Sequence, residues 1–273
     1  MKDLQINEFK KKEAEFHSAI VDSYHDTAQL DSLRNTAAHE QFLQYLKSLP
    51  KQSLILELGC GLGQDGRELM KRGFFVVQTD ISEKTLKYAQ NMASQEKFSQ
   101  CVHLRMDSEN VPFKNSSFEA CFMVASLHHM MNPSPAIKEM KRCSKMNGII
   151  IIAIEPNTWQ YYCIFPIIRF YKKNVKNSKQ YSPGDEATHG FNKKYFVNLA
   201  KQNDLKIIRI SPVWYSCGWL HLLFQTFSKL SKKSINAPTF LEKICIFVDR
   251  CIEKIPVIKD YPWHWNVIMK KEV

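Results

Sequence analysis

Three glycines at alternate positions, Gly59, Gly61 and Gly63, punctuate the stretch SLILELGCGLGQDGREL, directly after an apolar run that carries Glu57. Glycine costs backbone entropy, so such a cluster belongs where the chain bends tightly or where something passes close to the main chain. A strand that ends in glycines and feeds a helix can hold a ligand at the carboxyl edge of a sheet. Small residues admit the ligand, and the start of the helix offers free amides. The spacing is G-x-G-x-G, not the G-x-G-x-x-G of dinucleotide sites. Asp80 lies 21 residues beyond Gly59 and ends the next apolar run, where its carboxylate can accept both hydroxyls of a ribose. Asp107 follows a third apolar run, placed to accept a hydrogen bond from an exocyclic adenine amine.

A fourth apolar run closes in ASLHHM, which brings His128 and His129 to the same rim, and His189 stands in THGF. Glu155 and Asn157 follow the fifth run, and His17 lies near the N-terminus. An imidazole at a strand rim can act as a base near neutral pH, or it can pack and orient a substrate. No carboxylate or further histidine stands at ligand spacing around the His128–His129 pair, so no metal is expected there.

These residues need elements to position them. Residues 8–48 read as helical, with Phe16, Ile20, Phe42 and Leu46 at helical spacing. Strands and helices then alternate: a strand at SLILEL, a helix over 64–72, a strand at FFVVQT, and a helix over 83–95 capped by Ser82. Strands at CVHLRM and FEACFMVA, a helix over 134–145 and a strand at GIIIIAI follow. Continuous apolar strands between amphipathic helices are what a doubly wound parallel sheet, covered on both faces, requires. After Pro156 come an aromatic, proline-kinked stretch and a polar loop. A helix over 192–203, a strand at LKIIRI, amphipathic segments over 218–230 and 239–255, and a closing strand at NVIMKK complete the chain. The segments after Pro156 read as a lid on one domain.

At 273 residues with 44% hydrophobic and 24% charged content, the chain has the composition of an ordinary globular protein. Its N-terminal stretch lacks the apolar core of a signal peptide, and its longest apolar runs are too short to span a bilayer. Eight cysteines without a C-x-x-C pair read as reduced thiols, so a cytoplasmic location is expected. Residues 1–155 are charge-neutral, and the whole net charge of +11 lies in residues 156–273. That excess is either a solvated surface or an attraction to something anionic: a substrate, a lipid surface or a nucleic acid.

In order and at sensible spacing, ELGCGLG, Asp80, MDSENVPF, FEACFMVASLHHM and MKRCSKMNGIIIIAIEPN resemble the successive motifs of class I S-adenosylmethionine-dependent methyltransferases. The chain is most similar to the broad bacterial type 11 group, which acts on small molecules, quinones, sugars and lipids. The likeness covers residues 50–158 and, more loosely, 189–211. It implies an α/β fold with a doubly wound, mostly parallel seven-stranded sheet, Rossmann-like, in a single domain of residues 1–273. Within it, residues 1–48 would form a helical cover, 50–158 a cofactor-binding core and 159–273 the substrate-side lid, insertions and closing strands. The implied cofactor is S-adenosyl-L-methionine. Glu57, Gly59 and Gly61, with Cys60 between them, would hold its methionine portion, and Gly63 would allow the close turn. Asp80 would bind the ribose with Ile81 beside the adenine, Asp107 and Ser108 would contact the adenine edge, and Ser126 would line the pocket.

Methyl transfer from a sulfonium asks the protein to align a nucleophile with the S–CH3 bond and to exclude water. His128, His129 and His189 are the candidate bases. The expected acceptor is a small molecule or a lipid- or glycan-linked compound, attacked at O, N or C. In GWLHLLFQTFSKL apolar residues cover more than half the helix surface, which fits a core-packed lid helix. The same helix, with the lysines that follow it, also fits weak contact with an anionic membrane, and a location peripheral to its inner face. A nucleic-acid partner is not expected. The fourth strand lacks the (N/D)PP(Y/F) loop that stacks a flipped base, no Pro-Cys nucleophile occurs, and the basic residues lack interleaved aromatics. RNA methylation and non-catalytic cofactor binding stand as the alternatives.

Overall fold

The computed structural model describes residues 2–24, 32–164, 182–231, 233 and 235–272, with backbone alone for 2–4, 22–24 and 229. Two helices open it, α1 (Lys2–Tyr24) and α2 (Leu33–Lys47), the latter started by Ser32, whose side chain accepts the Asn35 amide. The helical reading over 8–48 thus resolves into two elements, the first beginning six residues earlier than the apolar pattern predicts. Next come β1 (Leu54–Leu58), α3 (Gln64–Met70), β2 (Phe75–Asp80), α4 (Glu83–Gln95), β3 (Cys101–Arg105) and β4 (Phe118–Val124). A single turn at Leu127–His129 precedes α5 (Ser134–Cys143) and β5 (Ser144–Pro156). The short helices α6 (Thr158–Cys163) and α7 (Pro183–Ala187) are followed by α8 (Lys193–Gln202) and β6 (Leu205–Val213). The chain closes with α9 (Ser216–Ser231), α10 (Thr239–Ile252) and β7 (His264–Lys271). The proline-kinked segment around Pro166 lies outside the described residues.

The seven strands form one sheet in the order β3-β2-β1-β4-β5-β7-β6. All pair in parallel except β7, which runs antiparallel between β5 and β6. The order reverses between β1 and β4, and a ligand is expected in the crevice at the carboxyl ends there. Alternation along each strand divides the core in two. Leu56, Met123, Ile150 and Val267 face α5 and α8, meeting Ile137, Met140, Phe196 and Leu199. Ile55, Phe122, Ile151 and Ile268 face the other way, onto Phe42 and Leu46 of α2 and Leu69 of α3. Because β7 sits inside the sheet, the residues after 158 share one core with those before it.

One distortion shapes the site. The β5–β7 register shifts between Ile152 and Glu155, and Ile154 adopts φ 55°, a conformation that a β-branched residue rarely takes. Asn266, fully buried on β7, accepts the Ile154 amide at 2.8 Å and donates to the Ala38 carbonyl at 3.1 Å. The bulge brings Glu155 under the end of β4.

Candidate active site

Five strand ends and the two N-terminal helices surround a cavity of about 360 Å3, within the size range of small-ligand sites. Its floor is the loop after β1. Gly59, Gly61 and Gly63 all have positive φ, 63°, 52° and 70°, so three left-handed residues fold the chain back beneath the ligand space. A Cβ on Gly59 would lie 2.5 Å from the Ser126 hydroxyl, and one on Gly63 would lie 2.8 Å from Ala89. A Cβ on Gly61 would meet nothing within 4 Å, so here bare backbone faces open cavity.

Asp80, at the end of β2, accepts the Gly61 amide at 3.0 Å and the Ser82 amide at 2.8 Å, one through each carboxylate oxygen. It is buried, and burial raises its pKa. Glu57 projects from β1 and accepts Gln78 at 2.6 Å. Burial, then the nearby Asp65 carboxylate, pushes its pKa well above the carboxylate range. Asp65 in turn meets His39 of α2 at 2.6 Å; burial opposes a charged His39, and Asp65 outweighs it, so this imidazole's pKa rises. The far wall is Ser126, which donates to the Gly59 carbonyl at 2.9 Å.

Helix α1 forms the roof. Lys10 bridges Asp107 at 2.7 Å and Glu109 at 2.8 Å, and Ser18 meets Ser82 at 2.9 Å. One turn apart on the same face, Glu13 and His17 reach down to the loop after β4. Glu13 Oε2 lies 3.2 Å from His17 Nε2 and 3.5 Å from His129 Nδ1, and its other oxygen accepts the Gly184 amide. His129 Nδ1 also meets the Ser182 hydroxyl at 3.0 Å. Burial, then the imidazoles of His128 and His17, holds the His129 pKa well below the usual histidine value.

A family model described as "Methyltransferase domain" matches residues 56–152, the stretch from β1 to β5. Residues 56–152 are a class I methyltransferase domain of the type 11 group. Among similar proteins, YqeM of Bacillus subtilis is 27% identical over 141 residues, 50% of this chain and 56% of that one. The malonyl-[acyl-carrier protein] O-methyltransferase of Erwinia pyrifoliae is 28% identical over 100 residues, 36% of each chain. The chain thus spans about half the length of YqeM and about a third of the Erwinia enzyme. The same fold occurs in a SAM-dependent methyltransferase from Aquifex aeolicus (TM-score 0.53, 16% identity, 72% of this chain and 92% of that one). It occurs too in Haemonchus contortus phosphoethanolamine N-methyltransferase 2 in complex with S-adenosyl-L-methionine (TM-score 0.59, 14% identity, 86% and 52%).

The cofactor of the methyltransferase domain is S-adenosylmethionine, and the cavity suits it: bare backbone at Gly61, a buried carboxylate at Asp80 and another at Glu57. Of the residues expected to hold it, Glu57, Gly59, Cys60, Gly61, Asp80, Ile81, Asp107, Ser108 and Ser126 all line the cavity. Gly63 does not; it packs against Ala89 and Gln78 and shapes the turn from behind. Sequence reasoning missed Lys10, Glu13, Asn35 and His39, which reach the cavity from the two N-terminal helices, and Glu109, two residues beyond Asp107. The Glu13–His17 pair had one legible signal, an acid and an imidazole four residues apart on one helix face.

The three candidate bases separate. Only His129 lines the cavity. His128 is buried behind the loop, its Nδ1 2.9 Å from Glu155 Oε2; burial opposes its charged form, and Glu155 outweighs that, raising its pKa. His189 is exposed and rests beside Tyr161 and Tyr162. Glu155 is no free base either, because the amides of Ser126, Leu127 and His128 all donate to it. Asn157 is buried against the Asp260 carbonyl. The expectation that no carboxylate or further histidine approaches the histidine pair is corrected. Folding brings Glu13 and His17 to His129, and Asp185 to His128 Nε2 at 3.8 Å.

Proposed function

We propose that the chain transfers the methyl group of S-adenosylmethionine to a hydroxyl of a small-molecule or lipid-linked acceptor, with His129 receiving the hydroxyl proton. The observation that supports this reading most is His129 itself: an imidazole with its pKa lowered by burial, lining the same cavity as Ser126. When bound, S-adenosylmethionine supplies a methyl group already activated on sulfur, so the chain's own work is placement and proton handling. Asp80 would accept the two ribose hydroxyls, and the Gly61 backbone and Glu57 would hold the amino-acid end. Helix α1, fastened by Lys10 to Asp107 and Glu109, shuts water out from above. With Nδ1 engaged by Ser182, His129 Nε2 is the nitrogen left to take a proton, and Glu13 stands behind to stabilise the resulting imidazolium. The acceptor hydroxyl's proton would pass to His129 Nε2, and the bound cofactor would supply the methyl group and leave as its demethylated sulfide.

The test is transfer of labelled methyl from the cofactor to fractionated lipid and small-molecule extracts. Wild-type protein should label a methyl ether product. His129→Gln should cut the rate by about 10²-fold or more, the ordinary share of a general base, at unchanged cofactor affinity. Label appearing only in RNA, or an undiminished rate in the variant, would overturn the proposal.

A further inference from the structure

We propose that α9 and α10 dock the protein on an anionic lipid bilayer, lying in the plane of its surface. The two helices pack against each other, yet each leaves an apolar stripe in solvent. On α9, Trp219, Leu223 and Phe227 recur every four residues and are exposed; on α10, Phe240, Ile244 and Phe247, at spacings of four and three, are exposed too, Phe247 to 67%. The reading of α9 as core-packed is thereby corrected: Cys217 and Leu220 are buried, but Trp219, Leu223 and Phe227 are bare. Contiguous exposed aromatics of this kind mark an interaction surface in a folded protein.

Charge selects the occupant. The acids of these helices are turned inward: Glu242 pairs with the buried Arg34, and Asp249 accepts the amides of Tyr215 and Ser216 at the start of α9. The bases Lys243, Arg250 and Lys254 are exposed; Lys243 and Arg250, two turns apart, lie along one flank of the Phe240–Phe247 stripe, and Lys254 stands in the turn that follows the helix. An apolar stripe flanked by exposed cations is the pattern of an interfacial helix, whose aromatics enter the acyl boundary while long basic side chains reach the headgroups. A second copy of the chain fits this face poorly. A closed dimer repeats one patch on both subunits, which would set these cations against their own images. Among the described residues no helix is long and apolar enough to cross a membrane, so the contact is peripheral. The face is tied to the active site: Arg34 belongs to α2, whose Asn35 and His39 line the cavity. The proposal stands on surface chemistry and does not depend on which acceptor is methylated.

Flotation of the full chain with phosphatidylcholine vesicles, with and without phosphatidylglycerol, tests it. Binding is expected to the anionic vesicles, weakening with salt and falling by about five-fold for each basic residue neutralised among Lys243, Arg250 and Lys254. The double variant Phe240→Glu, Phe247→Glu should lose flotation while keeping the wild-type melting temperature and affinity for S-adenosylhomocysteine, since both side chains are exposed. No flotation of the wild type, or undiminished flotation of the double variant, would overturn the proposal. So would a dimer in light scattering that the double variant dissociates, with no binding to vesicles.

Discussion

Ser126, at the end of β4, donates its hydroxyl to the carbonyl of Gly59, at the end of β1, across a distance of 2.9 Å. This bond staples the two strand-end loops where the sheet order reverses, and it leaves no room for a side chain at Gly59. The neighbouring glycine is different, because a Cβ on Gly61 would enter the ligand space and touch no protein atom. Both substitutions force alanine into a left-handed conformation, costing about 1–2 kcal/mol. Gly59→Ala should lose more than this, with a lowered melting temperature. Gly61→Ala should lose little more, yet bind S-adenosylhomocysteine at least ten-fold more weakly. Thermal unfolding and calorimetry on the two variants check the contrast.

Glu155 receives three consecutive backbone amides and His128 Nδ1, and it is completely buried. Glu155→Ala should leave these donors unsatisfied and destabilise the fold by about 3–5 kcal/mol, as removal of one member of a buried charged network does. Denaturant unfolding measures the loss. A change below about 1 kcal/mol would mean that the loop holds its shape without this carboxylate.

The lowered pKa of His129 has a definite sign in the rate profile. A base acts when unprotonated, so the acid limb of kcat/KM should fall below about pH 6.5, the ordinary histidine value. Stability follows the same residue. The unfolded chain takes up a proton near that pH and the folded chain does not, so His129 contributes stability above it that is lost as pH falls. His128 acts in the opposite sense, since Glu155 raises its pKa. Rate profiles and melting curves of wild type and His129→Gln check both: the variant should lose this limb and show a shallower loss of stability on acidification.

Arg34 and Glu242 form a buried ion pair between α2 and α10. Arg34→Ala should destabilise by about 3–5 kcal/mol by stranding the carboxylate. The paired replacement Arg34→Met, Glu242→Leu should recover most of that. Equal losses in the single and double variants, by chemical denaturation, would show that packing and not charge dominates the site.

What the sequence disclosed follows the range of the forces involved. The strands were legible because a parallel sheet buried on both faces needs unbroken apolar runs, and ILEL, FMVA and IIIIAI supply them. The glycine loop was legible because positive φ leaves few other residues. Asp80 was legible because it sits at a fixed distance, one βαβ unit on. The roof was not: Lys10, Glu13 and His39 are polar residues on amphipathic helices, and nothing local distinguishes a cavity-facing one from a solvated one. His128 and His129 are adjacent, yet the first is buried against Glu155 and the second lines the cavity, and nothing in their own sequence tells them apart. For α9 the apolar count was legible but not which residues the fold would leave bare: Cys217 and Leu220 are buried while Trp219, Leu223 and Phe227 are exposed, and hydrophobicity alone does not say which face the fold will cover.

Calorimetric titration of S-adenosylhomocysteine into the folded protein, wild type beside Asp80→Ala, tests the central claim most directly. The account predicts saturable binding at one site per chain. In the variant it predicts affinity at least ten-fold weaker, the loss of a buried charge-assisted hydrogen bond of about 1.5–3 kcal/mol, with the protein still folded. Absence of binding heat in the wild type, or equal affinity in the two proteins, would contradict it.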